Sequence, residues 1–131
     1  MKKSPVVHFE MPYQDSQRVS KFYNSVFGWE MTDAGPEMGH YMVATTTDTD
    51  PQTTRPTTPG AINGGFYAKT NATNPYPSFV IAVDDVKQSI EMVKKAGGKI
   101  ISEPQEIPGI GLWAVFEDTE GNKVSMLQPK M

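Results

Sequence analysis

The chain contains no cysteine among its 131 residues. This absence excludes a thiol nucleophile, a disulfide framework, and any site in which cysteine sulfur binds a metal or an iron–sulfur cluster. A chain of this length can bury an adequate core without disulfides or a structural metal. Any chemistry that the protein performs therefore depends on oxygen, nitrogen and aromatic side chains.

The sequence also lacks long runs of charge and long apolar runs. Its 12 basic and 15 acidic residues give a net charge of −3, and neither sign is clustered. No basic patch is present that would bind nucleic acid or an anionic membrane. No window approaches the roughly 18 apolar residues of a membrane span, and residues 1–5 do not lead into an apolar signal segment. We therefore expect a cytoplasmic protein that binds neither nucleic acid nor membrane.

The N-terminal stretch predicts a strand followed by a capped helix. Alternation along residues 6–12 places His8 and Glu10 on one face of the strand and apolar side chains on the other. Asp15 is placed to cap the helix and Gly28 to end it. Apolar residues recur at helical spacing, which predicts packing on a sheet, at Val19, Phe22, Tyr23, Val26 and Phe27.

Three further strands are predicted in the first half, at 29–32, 40–44 and 61–67. Between the last two, residues 45–60 contain eight threonines and three prolines, which predicts an exposed, mobile loop. This loop is either solvated or a flap over a site. Within the last strand, Gly64-Gly65 indicates a bulge or a close approach to the backbone.

The second half repeats this pattern at a spacing of 70 residues. Phe9 matches Phe79, Asp15 matches Asp85 and Gly28 matches Gly98. After strand 78–83 and a helix capped by Asp84 or Asp85, strands are predicted at 99–102, 112–116 and 123–128, with a turn at 103–111. The duplication predicts an α+β fold of two βαβββ modules that form a cup-shaped mixed sheet with the helices on its outer side. We assign residues 5–68 to the first module, 69–77 to a connector and 78–128 to the second, within one domain of 131 residues.

These motifs resemble the vicinal oxygen chelate superfamily, which includes glyoxalase I, bleomycin-resistance and fosfomycin-resistance proteins and extradiol dioxygenases. The resemblance rests on His8-x-x-x-Pro12-x-x-Asp15, on residues 22–29, on Val83-Asp84-Asp85, and on 116–122. It covers essentially the whole chain and is nearest to small bacterial proteins related to lactoylglutathione lyase. It implies the same two-module fold and a site inside the cup.

In metal-dependent relatives, the ligands come from inward positions on the first and last strands of each module. By resemblance, these positions are His8, Asn63, Ser78 and Ser125 here. Only His8 is a usual ligand for Zn²⁺, Ni²⁺ or Fe²⁺, and Glu10 would supply a second, so a third is missing. We therefore expect no bound cofactor, and His8 is a metal ligand only if a divalent ion (Zn, Ni, Fe or Mn) binds.

Several side chains have both a functional and a structural interpretation. His8 is either a metal ligand or a hydrogen-bonded histidine that lines a pocket. Glu10 is either a general base facing the cup, with His8 as its catalytic partner, or one half of a salt bridge. Tyr67 and Trp113 are predicted as pocket walls, whereas His40 is predicted as a surface histidine at a strand end.

Two classes of function remain open at this point. The first is a metal-free protein that binds a small organic molecule through His8, Glu10, Asn63, Tyr67, Ser78, Trp113 and Ser125. The second is a divergent metal-dependent enzyme, either a glyoxalase-related lyase or isomerase or a dioxygenase-like enzyme, in which Glu10 or His8 moves a proton. The exposed sheet edges also predict a homodimer.

Overall fold

The computed structural model describes residues 1–130. The first half of the chain forms β1 Val6–Tyr13, α1 Ser16–Phe27, β2 Glu30–Asp33, β3 Met42–Thr45 and β4 Gly64–Ala68, with a 3-10 turn at Pro36–Met38. The second half forms β5 Ser78–Ala82, α2 Val86–Lys95, β6 Lys99–Ile100, β7 Gln105–Ile107, β8 Gly111–Glu117 and β9 Lys123–Pro129. The contacts divide the chain into two compact units, each of which contains one helix.

The first unit, His8–Pro77, contains four strands in the order β2-β3-β4-β1. β1 pairs with β4 in parallel, and the other two pairings are antiparallel. One face of the sheet carries the core, where Phe66 and Ala44 are almost fully buried. Val19 and Tyr23 of α1 pack on this core, together with Phe9 and Met11 of β1. The face of β1 that carries His8 and Glu10 is therefore the face away from the helix.

Helix α1 has the predicted ends. The side chain of Asp15 accepts a hydrogen bond from the backbone N–H of Arg18, and Gly28 closes the helix in the left-handed conformation with φ 73°. The predicted apolar stripe is wrong for three residues, because Phe22, Val26 and Phe27 remain 53–60% exposed. Tyr23 and Trp29 stack at 4.8 Å between ring centroids and pack on the core, whereas Phe22 and Phe27 contact the Tyr23 ring and remain largely exposed.

The second unit consists of Met1–Val7 and the chain from Ser78 onward. Its strands follow the order β5-β9-β8-β6, and β7 pairs with β8. The helix α2 buries Val86 and Ile90 against Ala114 and Met126. Its N-cap is Asp85, whose carboxylate accepts the backbone N–H of Gln88 at 3.1 Å. Residues 103–111 were expected to be only a turn, but they include the short strand β7, which pairs with the start of β8.

The two units share one strand order. β2, β3, β4 and β1 correspond to β6, β8, β9 and β5, and each unit pairs its first and last strands in parallel. The predicted α+β class, with a mixed sheet and two helices, is confirmed. The register of the parallel pairs also corresponds between the units. Glu10 lies opposite Gly65 in β4, and Val80, which occupies the position of Glu10 in the second unit, lies opposite Ser125 in β9. The cup and the single-domain assignment stay predictions.

Residues 45–60 are largely exposed, as expected, but they are organised by their own hydrogen bonds. Asp50 accepts the backbone N–H groups of Gln52 and Thr53 at 2.8 and 3.0 Å, and Thr49 forms an isolated bridge with Pro56. At the base of the loop, Thr46 donates its backbone N–H to the side chain of Asn63. Within residues 1–130, no helix has the length and apolar character needed to span a membrane.

Candidate functional site

The face of the first unit that points away from α1 carries a cluster of polar aromatic side chains around His8. Nε2 of His8 lies 2.8 Å from the hydroxyl oxygen of Tyr41, and the two rings are nearly parallel, with their centroids 6.3 Å apart. Tyr41 precedes β3, in which Val43 lies opposite Gly65 of β4. Alternation therefore brings the Tyr41 side chain to the same face as His8.

Glycine at position 65 makes room for Tyr41. A Cβ atom at Gly65 would overlap the Tyr41 ring, so the ring lies directly over the backbone of β4. Glu10 is the register partner of Gly65 in β1. The same strand position therefore brings the Tyr41 ring and the Glu10 carboxylate side by side. Gly64 makes room for Phe9 on the opposite face, so the predicted close approach at these two glycines is confirmed.

Tyr67 completes the cluster from β4, two residues beyond Gly65 and on the same face. Its hydroxyl group donates a hydrogen bond to the backbone carbonyl of Asn74 at 2.5 Å. The negative charge of Glu10 acts on this tyrosine as well. Tyr67 is thus held by the segment after β4, within range of the charge of Glu10.

The electrostatics of the cluster follow from burial and from one carboxylate. Burial raises the pKa of Tyr41 far above its usual value, and the charge of Glu10 and a hydrogen bond to Glu10 raise it further. Burial, followed by the charge of Glu10, raises the pKa of Tyr67 to about 12. Burial lowers the pKa of His8. At neutral pH, the cluster therefore contains a neutral imidazole, two protonated phenols and the Glu10 side chain.

The side chains of the cluster do not fit a tightly bound divalent metal. A catalytic zinc site needs three protein ligands, usually histidine or carboxylate. Within residues 1–130, no three His, Cys, Asp or Glu side chains converge on one point. In the cluster itself, His8 and Glu10 are accompanied by tyrosines, and Nε2 of His8 is bonded to one of them. Phenols with a raised pKa are poor metal ligands because binding would require their deprotonation.

The other predicted site residues lie elsewhere. Asn63 bonds to Thr46 through its side chain and to Phe9 through its carbonyl, so it closes the base of loop 45–60. Three belong to the second unit. Ser78 donates to the carbonyl of Lys123 at 2.7 Å, Ser125 is 5% exposed in β9, and Trp113 lies in β8 on the face away from α2. Their roles in ligand binding stay predictions.

His40 is exposed, as expected, but it has a partner. Its Nδ1 atom lies 3.1 Å from the Oδ2 atom of Asp33. A hydrogen bond from the backbone N–H of Gly35, followed by the bond to His40, lowers the pKa of Asp33. The carbonyl of His40 accepts the hydroxyl group of the buried Tyr13 at 2.9 Å. These contacts hold the turn that leads into Tyr41.

A shallow groove of about 330 Å³ lies at the start of α1 and contains none of the predicted site residues. It is lined by Pro12, Tyr13, Gln14, Asp15, Arg18, Val19 and Phe22. Asp15 in this lining is the N-cap of α1, and its carboxylate accepts the backbone N–H of Arg18.

Tyr41 is the residue of the cluster that the sequence analysis did not single out. One available signal was strand alternation. Tyr41 and Val43 alternate with the buried Met42 and Ala44, so they share the face of the sheet away from the core. The glycine opposite Val43 was the second signal, because an aromatic ring next to a glycine on the neighbouring strand has room to lie flat. Using both signals requires the register between β3 and β4. The sequence does not reveal this register, because a long loop separates the two strands.

Comparison with known proteins agrees with this architecture. The family model described as "Glyoxalase/Bleomycin resistance protein/Dioxygenase superfamily" matches residues 6–126. A glyoxylase-like domain-containing protein of Didymella fabae is 36% identical over 117 residues, which cover 86% of this chain and 84% of that protein. A probable chloroplastic lactoylglutathione lyase of Arabidopsis thaliana is 34% identical over 110 residues, which cover 81% of this chain but 30% of that protein.

Among solved structures, methylmalonyl-CoA epimerase from Mycobacterium tuberculosis superimposes with a TM-score of 0.68 at 12% identity, covering 100% of this chain and 93% of that one. At this identity the likeness shows the fold alone. The family match over residues 6–126 and the relative that is 36% identical over 117 residues establish the family. The chain belongs to the glyoxalase/bleomycin resistance protein/dioxygenase superfamily.

Proposed function

We propose that the protein binds a small organic molecule on the face of the first unit formed by His8, Glu10, Tyr41 and Tyr67, without a tightly held divalent metal. The observation that carries this proposal is the 2.8 Å contact between Nε2 of His8 and the Tyr41 hydroxyl. It places Nε2 of His8 in a hydrogen bond with a tyrosine. Aromatic walls with a few polar groups are typical of sites for organic ligands.

Ligand binding is tested by thermal denaturation over a panel of small aromatic and dicarbonyl compounds, in buffer containing a chelator. A compound that binds only the native state raises the melting temperature. We expect at least one such compound, and we expect its effect to be lost in Tyr41→Ala but kept in Tyr76→Ala, since Tyr76 is 70% exposed. A hit that is unaffected by Tyr41→Ala, or that appears only after a metal is added, contradicts the proposal.

A second candidate is a divergent metal-dependent enzyme of the glyoxalase, isomerase or dioxygenase type. Its support is the similarity to relatives described as enzymes, such as the probable lactoylglutathione lyase that is 34% identical over 110 residues. The available metal ligands argue against this candidate, since the side chains of residues 1–130 do not offer three converging His, Cys, Asp or Glu ligands. Turnover of a dicarbonyl–thiol adduct that depends on added Zn²⁺ or Ni²⁺, and that is abolished by His8→Ala, would favour this candidate.

A further inference from the structure

The rings of His8 and Tyr41 lie end to end and not on top of one another. Their planes differ by only 20°, and their centroids are 6.3 Å apart. Nε2 of His8 and the Tyr41 hydroxyl oxygen are 2.8 Å apart, and each of these atoms lies on the rim of its own side chain. A centroid separation of 6.3 Å is close to the largest that this contact allows, so each ring extends the other in a nearly parallel plane.

The backbone at Gly65 covers one surface of this ring pair. A Cβ atom added at Gly65 would meet Cε1, Cζ and the hydroxyl oxygen of Tyr41 at nearly equal distances, which places it to one side of the ring plane. Strand β4 therefore faces one surface of the Tyr41 ring, and the other surface points away from the strand. Both His8 and Tyr41 remain partly exposed, so the protein does not enclose the pair.

The contact between the rings also pairs the two polar atoms that face each other. Whichever of them carries the hydrogen, Nε2 of His8 and the Tyr41 hydroxyl group are bonded to one another. Along its length, the pair therefore presents mainly aromatic surface. Such a surface favours a partner with its own π system, because aromatic rings attract one another in offset-stacked and edge-to-face arrangements.

We propose that the outer surface of the His8–Tyr41 pair is a stacking site for a flat conjugated ligand longer than one benzene ring, such as a fused bicyclic aromatic compound. A single ring would cover only one of two rings whose centroids are 6.3 Å apart. A saturated compound of the same size would fill the space without the stacking contribution. This ligand class rests on the proposed function, because it specifies what the face around His8 binds.

The first test compares naphthol with decalol, its fully saturated counterpart with the same carbon skeleton and hydroxyl group. Titration calorimetry measures both affinities in the unmodified protein and in Tyr41→Leu, which keeps an apolar side chain but removes the ring. We expect the preference for naphthol over decalol to fall about two- to tenfold in Tyr41→Leu. Tyr76→Leu, at a tyrosine that is 70% exposed, should leave it unchanged. A preference that is the same in Tyr41→Leu overturns the stacking site.

The second test needs no substitution in the site. The chain has only two histidines, so the carbon-bound ring protons of His8 are resolved by proton NMR once His40→Gln has identified the other set. A naphthol ring stacked on His8 should move its ring protons upfield, whereas decalol should not. His40, whose Nδ1 atom lies 3.1 Å from the Asp33 carboxylate, is the internal control and should not move. Naphthol binding without an upfield shift at His8 overturns the stacking site.

The two proposals fail in different ways. Equal stabilisation of the fold by naphthol and decalol, lost for both in Tyr41→Leu, leaves the binding function and overturns the stacking site. If neither compound binds but another compound of the thermal panel does so through Tyr41, the flat ligand class is wrong and the binding function stands. Failure of the whole panel removes both proposals.

Discussion

At the residue scale, burial of His8 makes the stability of the fold depend on pH. Burial lowers the pKa of His8 from 6.5, so the unfolded chain binds this proton at a higher pH than the folded chain does. Where the unfolded state binds more protons, the free energy of unfolding rises with pH. The contribution is therefore fully present above pH 6.5 and decreases as the pH falls toward the lower pKa of the folded state.

Urea denaturation between neutral and mildly acidic pH measures this dependence. We expect the loss of stability on acidification to become smaller in His8→Gln. His40→Gln is the control for a histidine on the surface. A His8→Gln variant that keeps the full dependence on pH would contradict this role of His8.

The contact of Tyr41 with Gly65 gives a second prediction at this scale. An added Cβ at position 65 would overlap the Tyr41 ring, and such overpacking typically costs about 1–3 kcal/mol. We expect Gly65→Ala to lower the free energy of unfolding by that amount and to abolish the response to ligands. Removing the ring should relieve the overlap, so Gly65→Ala should cost much less in a Tyr41→Ala background.

Equilibrium denaturation of the two single variants and the double variant completes this cycle. Gly64→Ala is a useful comparison, because its Cβ would meet Phe9 in the core and not Tyr41. Its cost should be unchanged by Tyr41→Ala. Additive effects of Gly65→Ala and Tyr41→Ala would show that the ring and the glycine do not share one space.

At the element scale, the two helix caps provide a matched pair separated by 70 residues. Asp15 and Asp85 each accept a backbone N–H three residues on, at 3.0 and 3.1 Å. Replacing an aspartate N-cap with alanine costs about 1 kcal/mol. We expect Asp15→Ala and Asp85→Ala each to lower the unfolding free energy by that amount. A near-zero cost for either in urea denaturation would contradict the duplicated cap.

Most elements were predictable from local signals, and the deviations have physical causes. Asp15, Gly28 and Asp85 mark helix ends because they satisfy terminal backbone groups, a requirement that operates within a few residues. β7 was missed because its residues lie among prolines and glycines, and its pairing with β8 is a tertiary contact. The outward apolar side of α1 was missed because hydrophobic periodicity does not distinguish core from exposed surface.

The candidate site was predictable only in part, because one of its residues is brought in by the pairing between strands. Strand alternation correctly placed His8 and Glu10 on one face, because it is a property of a single strand. Tyr41 joins them through the register of β3, β4 and β1, which a loop of about 16 residues at 45–60 conceals in the sequence. Asn63 was assigned to the site by resemblance; its side chain bonds to Thr46, and its role in ligand binding stays a prediction.

At the scale of the whole molecule, the exposed side of α1 supports the expectation of a homodimer. Phe22, Val26 and Phe27 are 53–60% exposed on one helix, and apolar patches of this kind often mark interfaces. We predict a dimer in light scattering coupled to gel filtration, weakened by Val26→Ser but not by Lys95→Ser on the exposed end of α2. A monomer at all concentrations would contradict this prediction.

Metal analysis of the purified protein tests the central claim most directly, since a site of one histidine, one carboxylate and two phenols does not suit a tightly held divalent ion. The measurement is the content of zinc, nickel, iron and manganese per chain, with His8→Ala as the control. We predict well below one ion per chain, with no difference between the two proteins. One ion per chain that is lost in His8→Ala would contradict the claim.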